Sequence, residues 1–214
     1  MKKLIVLLIV FFRLISLQAQ EAPAAEFYRL SLKFYPTFLV DFTGPSLEGG
    51  LEYRINEKWA VQQDFGYIST WDTRYFLSVD DMVGFRFRTS IRKYFGSDGG
   101  YQALAFGYKH VTRDRSDTFC REDCAYFEDI DYQLRGNDFS LHYLIGQKDE
   151  FWKIGLVDLN VGAGLRLFKR VRTPELPEDA FFSGINDDFT FRVRTNKWLL
   201  IPSAIISISV GIGK

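Results

Sequence analysis

From Glu26 to its end this chain alternates apolar and polar residues with a period of two, interrupted only by turn-forming stretches. In a strand, successive side chains point to opposite faces, so a sustained period of two means a sheet with two unlike faces. Eight segments carry the pattern: 27–35, 46–55, 59–68, 83–95, 101–110, 138–147, 152–168 and 200–212. In the first, Tyr28, Leu30, Leu32 and Phe34 oppose Arg29, Ser31 and Lys33. In the seventh, Val157, Leu159, Val161, Ala163, Leu165 and Leu167 oppose Asp158, Asn160, Gly162, Gly164 and Arg166. Most segments have about the 9–11 residues of a tilted membrane-crossing strand. The connections sort by parity. Residues 56–58, 96–100 and 148–151 make short polar turns, and residues 36–45, 69–82, 111–137 and 169–199 make long ones. Short turns on one rim and long loops on the other are the form of a barrel threaded through a membrane.

The amino terminus reads as an address. Met1-Lys2-Lys3 is positive, Leu4 to Phe12 is unbroken apolar, and Gln18-Ala19-Gln20 places a small residue before Glu21. This is the pattern of a secretory signal peptide, expected to occupy residues 1–20 and to leave 21–214 as one domain. The apolar run before Arg13 is about half of the roughly 20 residues a spanning helix needs. Loss of Lys2, Lys3 and Arg13 leaves the mature chain slightly acidic, starting from 27 basic and 27 acidic side chains. That balance argues against a nucleic-acid partner.

Alternation alone does not say which face is inside. A secreted lipocalin-like binder would bury the apolar face, and an outer-membrane barrel would bury the polar one. Three features favour the second. An eight-stranded barrel has an interior just wide enough for side chains, and the polar faces here are rich in Gly, Ser and Ala. Those faces also carry both charge signs: Arg29, Lys33, Arg54, Arg86, Arg88, Arg92, Lys109 and Arg166 against Glu48, Glu52, Asp64 and Asp158. Enclosed together, they are expected to form an ionic network, because a buried charge without a partner is costly. Finally, Tyr28, Phe34, Tyr53, Trp59, Tyr67, Phe95 and Tyr108 fall near strand ends on the apolar faces, as interfacial aromatic girdles do. The fold expected is an all-β, eight-stranded antiparallel up-and-down transmembrane barrel with a polar lumen and a lipid-facing apolar exterior.

These residues resemble a family, the small eight-stranded outer-membrane barrels of the Bacteroidetes type. The resemblance is carried by the leader ending Gln18-Ala19-Gln20, by Leu32-Lys33-Phe34-Tyr35-Pro36, by Leu47-Glu48-Gly49-Gly50-Leu51-Glu52-Tyr53 and by Gly162-Ala163-Gly164-Leu165-Arg166. It spans the mature chain. It implies an outer-membrane location and monomeric state, contact with membrane lipids and lipopolysaccharide, and insertion by the barrel-assembly machinery. It implies no assigned activity.

Few constellations could carry chemistry. Cys120 and Cys124 frame Arg121-Glu122-Asp123, and in an oxidising envelope a disulfide is expected. A metal pair is the alternative, but two Cys with only His110 nearby do not complete a tetrahedral site. No metal or cofactor is expected. Ser140 and His142 share a face two residues apart and form the candidate catalytic pair. Some outer-membrane barrel enzymes remodel lipid A with a Ser and a His, but here parity turns both toward the axis. The expected role is structural or surface interaction through the long loops. Lipid A remodelling, a soluble binding barrel and a narrow channel remain as alternatives, and the loop partner stays unnamed.

Overall fold

The structure is a computed structural model, described for residues 29–40, 45–69, 82–95, 99–151, 154–175, 181–182 and 196–213. The expected signal peptide lies outside these residues, as do Tyr28 and Trp152. The strands are β1 (Leu30–Phe34), β2 (Ser46–Arg54), β3 (Trp59–Ser69), β4 (Met82–Phe95), β5 (Gly100–Arg121), β6 (Tyr126–Phe151), β7 (Gly155–Thr173), β8 (Phe181–Phe182) and β9 (Trp198–Gly213). The helical structure among the described residues is one 3₁₀ turn, Pro36–Val40.

Eight of these strands close on themselves. Each from β1 to β6 pairs antiparallel with the next, β7 pairs with β9, and β9 pairs with β1. The two-residue β8 pairs with β5 outside the ring, through Phe119↔Phe182 and Cys120↔Phe181. A closed ring has no sheet edge, so every strand within it finds both neighbours.

The register sets the tilt. Cα partners followed from Leu32 pass through Leu51, Gln63, Thr89, Phe106, Leu141 and Leu165 to Pro202. Leu32 itself pairs with Ile212, ten residues further along β9. Such a stagger over eight strands tilts them by about 40° from the ring axis.

Burial separates the two faces in the alternation the sequence carries. In β2 every second residue from Ser46 to Arg54 is buried, and Leu47, Leu51 and Tyr53 between them are exposed. The same holds around the ring: Leu32 (56% exposed), Phe65, Leu141 and Ile206 (72%) point outward, while Lys33, Asp64, His142 and Ser207 point inward.

Tight turns close one rim. The Asn56 side-chain oxygen accepts from the Lys58 and Trp59 amides, each at 2.9 Å. Gly99 turns between β4 and β5 at φ +72°, a conformation that glycine tolerates best.

At the other rim the structure corrects the expected loop 111–137. That stretch continues β5 and β6 as one hairpin, paired from Gly100↔Gln147 to Arg121↔Tyr126. Beyond the ring the inward face of the hairpin is mixed, Ile130, Tyr132 and Leu134 on β6 facing Asp117, Arg115 and Arg113 on β5, so an apolar period shows on one strand and not on its partner. The hairpin's inward side is held by Phe119, Tyr132 and Leu134, with Arg172 stacked 4.7 Å from the Tyr132 ring centre. Burial, and then a hydrogen bond to Asp117, push the Tyr132 phenol above its ordinary pKa. The Cys120–Cys124 disulfide closes the hairpin tip.

The expected loop 36–45 also turns inward at its start. Phe38 is buried, beneath the Arg86 and Arg88 guanidiniums at 4.9 and 5.4 Å.

Candidate functional site

The interior is a continuous polar cluster in two tiers. The lower tier centres on two carboxylates. Glu52 accepts from Lys33 at 2.5 Å, Arg92 at 3.1 Å, Lys148 at 3.1 Å and the Tyr94 hydroxyl at 2.8 Å. Asp158 accepts from Lys33, Arg92 and the Tyr101 hydroxyl, each at 2.6 Å. Three cations thus enclose two anions, with the two tyrosines filling the remaining acceptor positions.

In the upper tier Arg88 donates to Asp64 at 2.8 Å and to Glu48 at 3.2 Å. Arg86 stands 3.7 Å from Glu48, and the Tyr35 hydroxyl donates to Asp64 at 3.0 Å. Gln62 joins the tiers. Its carbonyl accepts from Lys33 at 2.8 Å, and its amide donates to Asp64 at 2.6 Å and to Tyr35.

The strands bring these groups together for a simple reason. Lys33↔Gly50 and Gly50↔Asp64 are successive rungs, and the missing side chain at Gly50 is where the Asp64 carboxylate and the Tyr35 ring lie. Gly66 likewise leaves the space taken by the Arg86 stem. Both tiers are almost wholly enclosed; Lys33, Glu52, Asp158 and Arg92 each show side-chain exposure of 1% or less. Desolvation at this depth is offset only where each charge keeps several partners, and here each carboxylate keeps at least two.

The sequence-predicted set maps onto this cluster unevenly. Lys33, Glu48, Glu52, Asp64, Arg86, Arg88, Arg92 and Asp158 belong to it. Arg54 is buried below, its guanidinium stacked 4.1 Å from the Tyr94 ring centre. Arg166 lies higher, 5.4 Å from the Phe168 ring centre. Lys109 is half-buried opposite Asp138, which pairs with Arg170 at 2.5 Å. Arg29 is a correction: it is exposed and its guanidinium bonds the Tyr53 hydroxyl at 2.9 Å, while its carbonyl accepts from the Arg54 amide at 2.8 Å at the rim, where β1 begins.

Five participants were missed: Lys148, Gln62, Tyr35, Tyr94 and Tyr101. Lys148 falls in the expected turn 148–151, but β6 runs on to Phe151 and the inward parity His142, Leu144, Gly146, Lys148 continues through it. The others share inward parity but carry no formal charge.

The Ser140–His142 pair is not brought together. His142 Nε2 lies 3.1 Å from the Ser203 hydroxyl on β9 instead. Ser140 faces Gly107 across the β5–β6 pairing. Residues two apart on a strand point the same way but stand about 6.6 Å apart, so a cross-ring partner meets the imidazole first. Among the described residues, no group of three or more His, Cys, Asp or Glu is placed to hold a metal ion, and no helix is long and apolar enough to cross a membrane.

Compared with known proteins, the chain matches no family model, no curated sequence and no solved structure.

Proposed function

We propose that this chain is an outer-membrane β-barrel of the small Bacteroidetes type, exported by its amino-terminal 20 residues, with a structural or surface-interaction role. The observation that carries the reading is the inverted surface. Large apolar side chains stand exposed on every strand of the ring, from Leu32 on β1 to Ile212 on β9, while Arg, Lys, Glu and Asp fill the axis. Soluble monomers rarely expose contiguous apolar patches beyond a few hundred Å². Water would have to cover this one; a bilayer wets it without cost. A lipocalin-like binder needs these same residues turned toward the axis, where Lys33, Glu52, Asp64 and Asp158 stand instead.

Phe34, Tyr53, Trp59, Tyr67 and Phe95 then serve as interfacial aromatics. By the usual asymmetry the short-turn rim faces the periplasm, and the long hairpin of β5 and β6 stands outside the cell. Among the described residues that hairpin reaches furthest beyond the ring and offers a surface to a partner. The closed interior supports a plug rather than a wide pore, so single-channel recordings should show no steady conductance.

Cell fractionation tests the proposal. Recovery in the outer-membrane fraction, released only by detergent and migrating faster on gels before boiling than after, is expected. Recovery in the soluble fraction without detergent defeats it.

A further inference from the structure

Above the apolar belt, the outer surface of β6, β7 and β9 changes character within one step. On β7 the outward residues are apolar up to Leu167, and the next is Lys169. On β6, Phe139 is followed upward by Asn137 and Arg135. On β9 the outermost outward residue is Trp198. One rung links them, His110↔Asn137↔Lys169↔Trp198, with Arg135↔Val171 two residues higher. The ten-residue stagger lifts each rung toward the long-loop rim as it passes from β1 to β9. Arg135, Lys169 and Trp198 therefore reach nearly the same height.

Arg135 and Lys169 are diagonal neighbours on adjacent strands, about 7–8 Å apart at the backbone, a gap that two long cationic side chains can close onto one anion. Neither has a carboxylate partner among the described residues. Other cations of this rim do: Arg170 pairs with Asp138 and Arg121 with Glu128. Gln133 steadies the Arg135 head by accepting from Nε at 2.8 Å, while its own amide donates to Asp114 at 2.9 Å. The two Nη groups of Arg135 stay available. The Trp198 ring packs 5.8 Å from Phe139, giving an apolar floor at the same level as the cations.

We infer that Arg135 and Lys169 grip a phosphate of an outer-leaflet glycolipid, whose acyl chains lie down the outward faces of β6, β7 and β9. The inference rests on the membrane reading above. A phosphate fits where a carboxylate of the chain is missing: it offers oxygens to both cations, and its lipid body covers the apolar strip beneath. The outward cation of the opposite rim differs. Lys93 lies over the Trp59 ring, 5.8 Å from its centre.

The test titrates the detergent-solubilised full chain with lipid A, intact or enzymatically dephosphorylated, and counts bound lipid by native mass spectrometry. Intact lipid A should bind at least about ten-fold more tightly than the dephosphorylated form. The Arg135→Gln/Lys169→Gln double variant should lose that preference, Lys93→Gln should keep it, and Arg135→Lys/Lys169→Arg should largely restore it. Equal binding of the two lipids, or a double variant that binds like the parent, overturns the site. Heat-modifiable migration of the same samples separates this failure from a larger one. A chain that never gives the compact band in detergent or vesicles overturns the membrane reading, and the lipid site with it.

Discussion

The wall formed by β2, β3 and β4 turns Glu48, Glu52, Arg54, Asp64, Arg86, Arg88 and Arg92 toward the axis, whereas the middle of β9 turns Ser203, Ile205, Ser207, Ser209 and Gly211. One wall provides long charged groups and the other provides room for them. The two depend on each other. An eight-stranded ring has no space for large side chains from every strand, so reach on one side demands smallness on the other. Asp158 on β7 is the exception that joins them, drawing Lys33 and Arg92 across the axis.

The comparison is broken hardest by removing that joint. Asp158→Asn leaves Lys33, Arg92 and Lys148 gathered on one carboxylate, Glu52, and loss of one partner from a buried ion set costs about 3–5 kcal/mol. Urea titration of the protein folded into vesicles should show that loss. Lys148→Met should cost less, because Glu52 keeps Lys33, Arg92 and Tyr94.

The outer surface gives the next effect. Leu165→Arg places a cation on the exposed apolar face, and in a bilayer this costs about 2–4 kcal/mol near the midplane. In a water-facing sheet the same change would be near neutral, so this variant also separates the two environments.

Crowding the small-residue positions comes third. A side chain at Gly146 would overlap the Tyr101 ring and the Leu159 carbonyl, so Gly146→Val should cost about 1–3 kcal/mol and loosen the Tyr101–Asp158 bond. Gly49 meets only the Lys33 carbonyl at an ordinary 3.6 Å, and Gly49→Ala should be nearly silent in the same titration.

The smallest effect belongs to the hairpin. The raised pKa of Tyr132 means that its contribution is full below about pH 10, the value for a free phenol, and is lost as pH rises through the folded value. Absorbance titration of the parent against Tyr132→Phe should show the loss of one late-ionising tyrosine, with protease sensitivity of the parent's hairpin rising in the same range.

Much of this was legible from the residues alone, because the ring repeats one rule. Eight alternating segments and loops sorted by parity gave the strand order, and the Gly, Ser and charge content of one face gave its inward direction. What escaped lay where the rule is silent. In the hairpin beyond the ring Ile130, Tyr132 and Leu134 alternate with Asp131 and Gln133, but the residues facing them on β5 are Asp117, Arg115 and Arg113, so no matching apolar period marks the partner strand and the stretch reads as a loop. Arg29 follows inward parity but sits at the rim, where its exposed side chain reaches the Tyr53 hydroxyl, since parity records direction and not height. The partner of His142 is Ser203 on β9, 61 residues away. Which cross-ring groups meet depends on stagger, and a ten-residue stagger is a property of closure that no single segment carries.

The central claim is that the outward apolar face touches hydrocarbon. Single-site labelling measures it directly: a fluorophore attached through Leu141→Cys, Leu165→Cys or Ile208→Cys in vesicles, challenged with lipids bearing a quencher on the acyl chain and with iodide in the water. Strong quenching by the lipid and protection from iodide at all three sites is the predicted result. Free access of iodide to them, with no effect of the lipid quencher, would contradict it.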